Sequence, residues 1–192
     1  MKFFIIEALK NFKTSGTVAP SSKHLVRTCL KKIDWSNTHF ILELGTGNGC
    51  ITDEIIDRGD ENLRIVSLEI NEVFYNYTKE KYALDKRLMM VNDSAFNILN
   101  LIHQLGFGKP DIIISSLPLT LFKENDIKQL MQIIHESLDE DGLFIQYQYS
   151  PVTLKYIKKV FPRVKFEFVL RNIPPAIVYR AYKGDSTKFI KK

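Results

Sequence analysis

One short run of residues, 41–49, constrains the fold of this chain more than any other. It reads Ile-Leu-Glu-Leu-Gly-Thr-Gly-Asn-Gly, an apolar strand that ends in an acid and opens into a turn with three glycines in five residues. Glycine has no Cβ and adopts positive φ at little cost, so this turn can bend sharply and let a ligand approach the backbone. The run therefore predicts a ligand site at the carboxyl end of a strand.

The spacing of the glycines separates two classes of ligand. A dinucleotide site uses Gly-x-Gly-x-x-Gly to seat a pyrophosphate on a helix N-terminus, whereas this turn has Gly-x-Gly-x-Gly. Glu43 adds negative charge that would repel a pyrophosphate and attract the ammonium of a methionine moiety. A second strand ends in Glu69, 20 residues after Gly49, where α/β nucleotide sites place a carboxylate on ribose hydroxyls. The two acids together predict S-adenosylmethionine as the ligand.

Two further strands also run into polar residues. The run 88–91 leads into Asn-Asp-Ser at 92–94, and the run 111–114 leads into Ser-Ser-Leu-Pro-Leu at 115–119. Because the carboxyl ends of parallel strands meet at one edge of an open α/β sheet, these residues and the two glutamates should converge on one crevice. We expect Asp93 to accept a hydrogen bond from the adenine amino group, and the loop after the fourth strand to border the reactive methyl. The predicted cofactor-binding residues are Glu43, Leu44, Gly45, Thr46, Gly47, Asn48, Glu69, Ile70, Asp93, Ser94 and Ser115.

Strand and helix patterns alternate along most of the chain, which predicts a mostly parallel sheet with right-handed crossovers. Strands are predicted over 39–44, 64–69, 88–92, 110–115 and 143–149, and helices over 49–58, 71–83, 95–105, 123–138 and 153–160. Two last strands, 165–170 and 176–182, are joined by a short Pro-Pro link and predict an antiparallel hairpin. The expected fold is a Rossmann-like α/β sheet of seven strands with one strand reversed, in a single domain over 1–192.

Composition narrows the functional classes. The chain has 192 residues, is 45% hydrophobic and carries a net charge of +5. It lacks an apolar run near the roughly 20 residues that span a bilayer, and Glu7 interrupts the apolar stretch of the N-terminus, so we expect a cytoplasmic protein. Cys29 and Cys50 are too few for a disulfide framework, and we expect both thiols to be buried. The four histidines form no metal-ligand pattern, so no metal is predicted.

An amphipathic helix is predicted at the N-terminus, over residues 1–13. Its apolar residues recur at helical spacing along one stripe, with lysines on or beside the polar side. A helix of this composition can lie in a membrane interface, and it can equally dock on the core of its own domain. The loop 14–22 ends this helix, and Ser21 or Ser22 can cap a second helix that runs through Lys31. The loop could also cover the cofactor.

With these motifs placed, the chain resembles the class I S-adenosylmethionine-dependent methyltransferases. Within them it resembles the soluble bacterial phospholipid N-methyltransferases, the peripheral phosphatidylethanolamine N-methyltransferase type. The segments that carry the resemblance are Gly-Thr-Val-Ala-Pro-Ser-Ser at 16–22, the glycine turn at 42–49, Glu-Ile-Asn at 69–71, Ser-Ser-Leu-Pro-Leu at 115–119, Gln-Tyr-Gln-Tyr-Ser-Pro at 146–151 and Arg-Asn-Ile-Pro-Pro-Ala at 171–176.

The chain is also similar to the ribosomal RNA adenine dimethyltransferases, with a departure at their fourth-strand motif. That motif is Asn-(Leu/Ile)-Pro-(Tyr/Phe), whose aromatic residue stacks on the target base. Here Ser116 replaces the asparagine and Leu119 replaces the aromatic residue, so the surface expected to stack on an adenine is missing. This departure counts against nucleic acid as the substrate.

The resemblance implies methyl transfer to the amine of a membrane lipid head group, such as phosphatidylethanolamine or ornithine lipid. It implies that Ser116, Leu117, Pro118 and Tyr149 orient the acceptor amine. The guanidinium of Arg171 could meet a lipid phosphate, and it could equally make a structural hydrogen bond across the final hairpin. The resemblance also favours an N-terminal helix on the inner face of an anionic membrane, through Phe3, Phe4, Leu9, Phe12, Lys2, Lys10 and Lys13. Two alternatives stay open, an RNA adenine N-methyltransferase and a binding module that holds S-adenosylmethionine without catalysis.

Overall fold

The computed structural model describes residues 21–184 and 188–190. The N-terminal helix predicted over 1–13 and all but the last two residues of the 14–22 loop lie outside the described residues, so both stay predictions. The described strands are β1 (Phe40–Leu44), β2 (Arg64–Leu68), β3 (Leu88–Val91), β4 (Ile112–Ser115), β5 (Leu143–Gln148), β6 (Arg163–Val169) and β7 (Ala176–Tyr182). The described α-helices are α1 (Lys23–Leu30), α2 (Cys50–Arg58), α3 (Glu72–Lys81), α4 (Ile98–Leu105), α5 (Glu124–Ser137) and α6 (Leu154–Val160).

The strands form one seven-stranded sheet in the order β3-β2-β1-β4-β5-β7-β6. β1 to β5 are parallel to one another, while β7 pairs antiparallel with both β5 and β6. The Rossmann-like sheet with one reversed strand and a C-terminal antiparallel hairpin is therefore confirmed. The carboxyl ends of β1 to β5 lie along one side of the sheet, which we call the carboxyl edge. β6 runs in the same direction as β5, so the connection from β6 to β7 also lies at this edge.

Helices cover both faces of the sheet, because the central strands are apolar on both sides. All residues of β1 and β4 are buried, as expected for parallel strands between two helical layers. One buried cluster joins α4, α5 and α6 to one face and includes Leu42 and Ile113. A second cluster joins α1 and α2 to the opposite face and includes Ile41 and Ile112. Successive strand residues thus serve opposite layers.

The start of α1 is fixed by its cap, as the sequence predicts. The Ser22 hydroxyl accepts a hydrogen bond from the amide of Leu25 at 3.1 Å. Farther along the same helix Cys29 is fully buried, and burial raises the pKa of its thiol to about 12. The expectation that both cysteines are buried is wrong for Cys50, which is half-buried because it follows the glycine turn at the carboxyl edge. Across 21–184 and 188–190, no helix combines the length and apolar character needed to cross a membrane.

Candidate cofactor and acceptor site

A cavity of about 310 Å³ opens at the carboxyl edge. Its walls include the glycine turn after β1, the loop after β4 and the end of β5, and Ser21 also lines it. A smaller cleft of about 30 Å³ adjoins it and is lined by Glu69, Ile70, Asp93 and Ser94 among others. The two spaces share Gly45, Leu117 and Pro118, so together they form one crevice across the switch point of the sheet.

The glycine turn has the backbone that its sequence predicts. Gly45, Gly47 and Gly49 have φ values of 82°, 59° and 87°, in the left-handed region that side chains with a Cβ rarely adopt. A Cβ on Gly49 would lie 2.0 Å from the Tyr82 hydroxyl oxygen, so this position is also closed sterically. Gly45, Thr46, Gly47 and Asn48 all line the larger cavity. A ligand there meets bare backbone along the turn.

Glu69 lies where the sequence predicts an acid for ribose. It is buried, and its two carboxylate oxygens accept hydrogen bonds from the amides of Gly47 at 2.8 Å and Asn71 at 2.9 Å. The carboxylate thereby ties the glycine turn to the start of α3 while it lines the smaller cleft. Asp93 lies across this cleft, and its Oδ1 accepts from the Ser94 amide and the Asn97 side chain. These bonds fix both acids at the wall of the cleft.

Three predicted cofactor residues lie behind the walls of the crevice. Leu44 and Ser115 are fully buried, and the Ser115 hydroxyl accepts from the Leu117 amide. Glu43 is also buried and points away from the cavity, into the layer beneath the turn. Its Oε2 accepts from the hydroxyls of Thr52 at 2.8 Å and Ser67 at 2.6 Å. The reason is strand geometry, because consecutive side chains of β1 alternate between the two faces of the sheet. None of these three residues lines either cavity, so their contact with the cofactor stays a prediction.

The loop after β4 is held rigidly against its neighbours. The Ser116 hydroxyl donates to the Gly45 carbonyl, which joins this loop to the glycine turn. The Leu117 carbonyl accepts from the side-chain amides of Gln146 at 3.2 Å and Gln148 at 2.8 Å. These bonds occupy both lone pairs of that carbonyl. They therefore argue against the Leu117 carbonyl as a hydrogen-bond acceptor for the substrate amine. Ser116 and Pro118 remain the candidates on this loop.

Sequence reasoning did not assign roles to Gln146 and Gln148. Both are buried, and they lie two residues apart in a strand that is otherwise apolar, so they share one face of the sheet. The sequence does contain a signal for such a role. Two glutamines at period two inside a central strand are buried side by side, and buried amides need hydrogen-bond partners.

A polar network closes the side of the cavity near β5. The Tyr147 and Ser21 hydroxyls lie 2.9 Å apart, and the ring of Tyr149 meets that of Tyr147 edge-on at 6.0 Å. Burial raises the pKa of both tyrosine hydroxyls, so neither is a base at neutral pH. Asn172 accepts from the Ser22 amide and donates to the Pro174 carbonyl. It therefore fastens the start of α1 to the β6–β7 connection.

Arg171 lies outside the crevice, and the described residues offer no metal site. Arg171 is exposed on the β6–β7 connection and does not line either cavity. Within the described part of the chain, no group of three His, Cys, Asp or Glu residues could hold a metal ion.

Known proteins match this chain both in sequence and in fold. The family model for ribosomal RNA adenine dimethylase matches residues 20–138. An ornithine lipid N-methyltransferase from Singulisphaera acidiphila is 31% identical over 93% of this chain and 95% of that protein. The ribosomal RNA small subunit methyltransferase A of Caldanaerobacter subterraneus is 24% identical over 86% of this chain and 63% of that protein. The fold matches the O-methyltransferase from Bacillus cereus in complex with S-adenosylhomocysteine with a TM-score of 0.63, at 14% identity over 92% of this chain and 90% of that one.

Fold, crevice and relatives define an enzyme class, the S-adenosylmethionine-dependent N-methyltransferases of the class I type. Within that class, the chain belongs to the ribosomal RNA adenine dimethylase family. The residues present fit the cofactor, because bare glycine backbone faces the larger cavity and fixed carboxylates border the smaller cleft.

Proposed function

We propose that this enzyme methylates the amine of a membrane lipid head group, with ornithine lipid or phosphatidylethanolamine as candidate acceptors. The observation that carries the proposal is the 31% identity to an ornithine lipid N-methyltransferase along nearly the whole of both chains. The loop after β4 supports it, because Leu119 is fully buried and is not an aromatic residue that could stack on a base.

We assign the methionine part of the cofactor to the larger cavity and its ribose and adenine to the smaller cleft. S-adenosylmethionine supplies a methyl group on a sulfonium, which is already activated for transfer. The backbone of Gly45 and Gly47 would border its methionine part, Glu69 would accept from the ribose hydroxyls and Asp93 from the adenine amino group. Both carboxylates are fixed by backbone and side-chain donors before a ligand arrives, which lowers the ordering cost of binding.

For the acceptor, alignment and proton loss are the two tasks of the protein. Ser116 and Pro118 would orient the amine on a loop that Gln146 and Gln148 hold in place, and Tyr149 would lie beside it. The described residues that line the larger cavity include no Asp, Glu, Lys, Arg or His. A cavity without charged partners disfavours an ammonium and lowers its pKa, so the amine would lose its proton as it leaves water.

The remaining lipid contacts lie at the carboxyl edge and in the N-terminal segment. Arg171 is exposed at this edge and would meet an anionic group of the head group, since a guanidinium fork suits phosphate and carboxylate oxygens. The predicted helix over 1–13 would hold the enzyme on the inner face of the membrane.

A second candidate function, RNA adenine methylation, is favoured by the family match and by the relative that is a ribosomal RNA methyltransferase. Ser116 and Leu119 stand where the fourth-strand motif has an asparagine and an aromatic residue, and this difference counts against RNA adenine methylation.

Defined acceptors would test the proposal. Purified enzyme and radiolabelled S-adenosylmethionine would be incubated with vesicles that contain ornithine lipid, phosphatidylethanolamine or phosphatidylcholine, and separately with ribosomal RNA. We expect label in at least one of the two amine lipids, and none in phosphatidylcholine, whose nitrogen is already fully methylated. Label in RNA without label in either amine lipid would refute the lipid assignment.

A further inference from the structure

Several large apolar side chains are exposed on the β5–β7–β6 side of the sheet. Their exposed fractions run from 51% for Phe166 to 87% for Ile173. We call this set the mouth surface, and it consists of Val152, Phe166, Phe168, Leu170 and Ile173. Val152 follows β5, and Leu170 and Ile173 lie on the β6–β7 connection, so these three lie at the carboxyl edge.

The two phenylalanines share one face of the edge strand β6. Phe166 and Phe168 pack edge-on at 5.7 Å, yet both rings stay more than half exposed. On the opposite face of the same strand, Glu167 pairs with Lys31 at the end of α1 and with Arg180 of β7. An exposed aromatic pair on an edge strand is a liability for a soluble protein unless something covers it.

The charges around the mouth surface are mainly basic. Lys155 and Arg171 are exposed within its own segments. Lys23 is exposed at the start of α1, which the bond between Ser22 and Asn172 brings to the β6–β7 connection. Of the acids nearby, Glu124 is paired with Lys128, and Glu167 is paired with Lys31 and Arg180. Such a surface complements an anionic bilayer. Its apolar side chains can enter the boundary between head groups and acyl chains, and its basic side chains are attracted by the lipid phosphates.

We propose that the mouth surface docks on an anionic bilayer. Phe168, Leu170 and Ile173 would enter the interface, and Lys155 and Arg171 would contact head-group phosphates. This contact would present the larger cavity, which Ser21 and Tyr149 line, to the membrane plane. It is made by residues between 152 and 173 and is distinct from any contact of residues 1–13. That this contact brings the enzyme to its substrate rests on the proposed function, methylation of a lipid amine. Binding to the bilayer does not depend on that function.

A matched pair of leucines allows a sharp test. Leu170→Asp would be compared with Leu84→Asp in the full chain, since these leucines are 77% and 95% exposed and the charge change is the same. Leu84 lies in the turn after α3, at the opposite edge of the sheet. Binding would be measured by sedimentation with vesicles of phosphatidylcholine and phosphatidylglycerol in equal parts. We expect Leu170→Asp to weaken binding about tenfold or more, and Leu84→Asp to bind like wild type.

Phe168→Ser would separate loss of apolar contact from added charge, and we expect a weakening of similar size. Vesicle binding equal to wild type in both Leu170→Asp and Phe168→Ser would overturn the proposal. So would a drop in melting temperature or a change of oligomeric state in Leu170→Asp without weaker vesicle binding, because another part of the chain or a second copy would then cover the surface. Vesicle binding needs no turnover, so failure of lipid methylation with this binding pattern intact would refute the proposed function alone.

Discussion

Two glutamines of β5 decide the position of the loop that borders the acceptor. Gln146 and Gln148 donate to the same carbonyl, that of Leu117. A shared acceptor fixes the loop against β5 while Ser116 fixes it against the glycine turn. The loop is thus preorganised from two sides, which matters because methyl transfer to an amine depends mainly on alignment.

Replacing Gln148 by Met removes one of these bonds at nearly constant volume. We expect the rate of methyl transfer to fall about three- to tenfold, since one hydrogen bond contributes about 0.5–1.5 kcal/mol. Binding of S-adenosylhomocysteine, measured by calorimetry, should change little. Gln132→Met, on the exposed side of α5, is the control. Equal losses of rate in both variants would contradict this role for Gln148.

A substitution at Gly47 tests whether cofactor binding needs the exposed backbone of the glycine turn. Gly47→Ala places a Cβ at φ 59°, beside the cavity and next to the bond with Glu69. We expect affinity for S-adenosylhomocysteine to fall about tenfold or more, because a Cβ lets the free turn relax from its left-handed backbone, and binding must restore that backbone at a cost of about 1–2 kcal/mol. The control is Gly106→Ala, at φ 65° with open space around its Cβ. It should lose stability alone, and equal affinities in the two variants would contradict a special role for Gly47.

Cys50 offers a readout of cofactor binding that needs no turnover. It is half-buried and lines the larger cavity, whereas Cys29 is buried with a pKa of about 12. In native protein we expect iodoacetamide to modify Cys50 and spare Cys29, and S-adenosylhomocysteine to slow modification of Cys50 severalfold. Mass spectrometry would follow both. Modification of Cys50 at the same rate with and without the ligand would place the ligand elsewhere.

The sequence predicts the position of most site residues in the chain but not the direction of every side chain. The glycine turn, Glu69 and Asp93 line the crevice as expected because strand ends and turns are local features. Glu43 lies beneath it, since its side chain follows the alternation of β1. The roles of Gln146 and Asn172 depend on partners that are distant in sequence. Such contacts appear only once the sheet order is known.

At the scale of elements, Glu43 joins three of them beneath the glycine turn. It lies in β1, and its Oε2 accepts from Ser67 of β2 and Thr52 of α2. Both hydroxyls are fully buried. The carboxylate therefore supports the turn from below and connects the first βαβ unit internally.

Removing this carboxylate should lower stability. We expect Glu43→Leu to reduce the free energy of unfolding by about 2 kcal/mol or more, because two buried hydroxyls lose their acceptor. Urea denaturation would measure the change. Glu54→Leu removes a carboxylate from a partly exposed ion pair with Arg58, and its cost should stay under about 1 kcal/mol. Similar values for both variants would mean that Glu43 has no connecting role.

The elements themselves were largely predictable. Period, caps and glycine turns predict all seven strands and the helices between them, and their ends differ from the structure by a few residues. The hairpin of β6 and β7 follows from its Pro-Pro link. The insertion of β7 between β5 and β6 depends on tertiary pairing, and no local pattern in those strands specifies it.

At the scale of the whole molecule, the crevice, the β6–β7 connection and Ser21 all lie at the carboxyl edge. The described part of the chain therefore begins beside the larger cavity, which Ser21 lines. We therefore expect the predicted membrane contact of residues 1–13 to lie on the side from which the acceptor amine must arrive.

Deletion of residues 1–13 tests this arrangement. We expect weaker binding to anionic vesicles and unchanged affinity for S-adenosylhomocysteine, because the glycine turn, Glu69 and Asp93, which we assign to the cofactor, remain in the truncated chain. Sedimentation and calorimetry would measure the two. Vesicle binding as strong as that of the full chain would show that the segment is not a membrane anchor, and loss of cofactor affinity would show that it takes part in the crevice.

The central claim is that this methyltransferase acts on a lipid amine. The most direct measurement is transfer of label from S-adenosylmethionine to a total lipid extract, presented as anionic vesicles, with total RNA in a parallel reaction and Gly47→Ala as the impaired enzyme. Label in an organic-soluble amine lipid, strongly reduced with Gly47→Ala, is the predicted result. Label in RNA alone would contradict the account and leave only the cofactor fold standing.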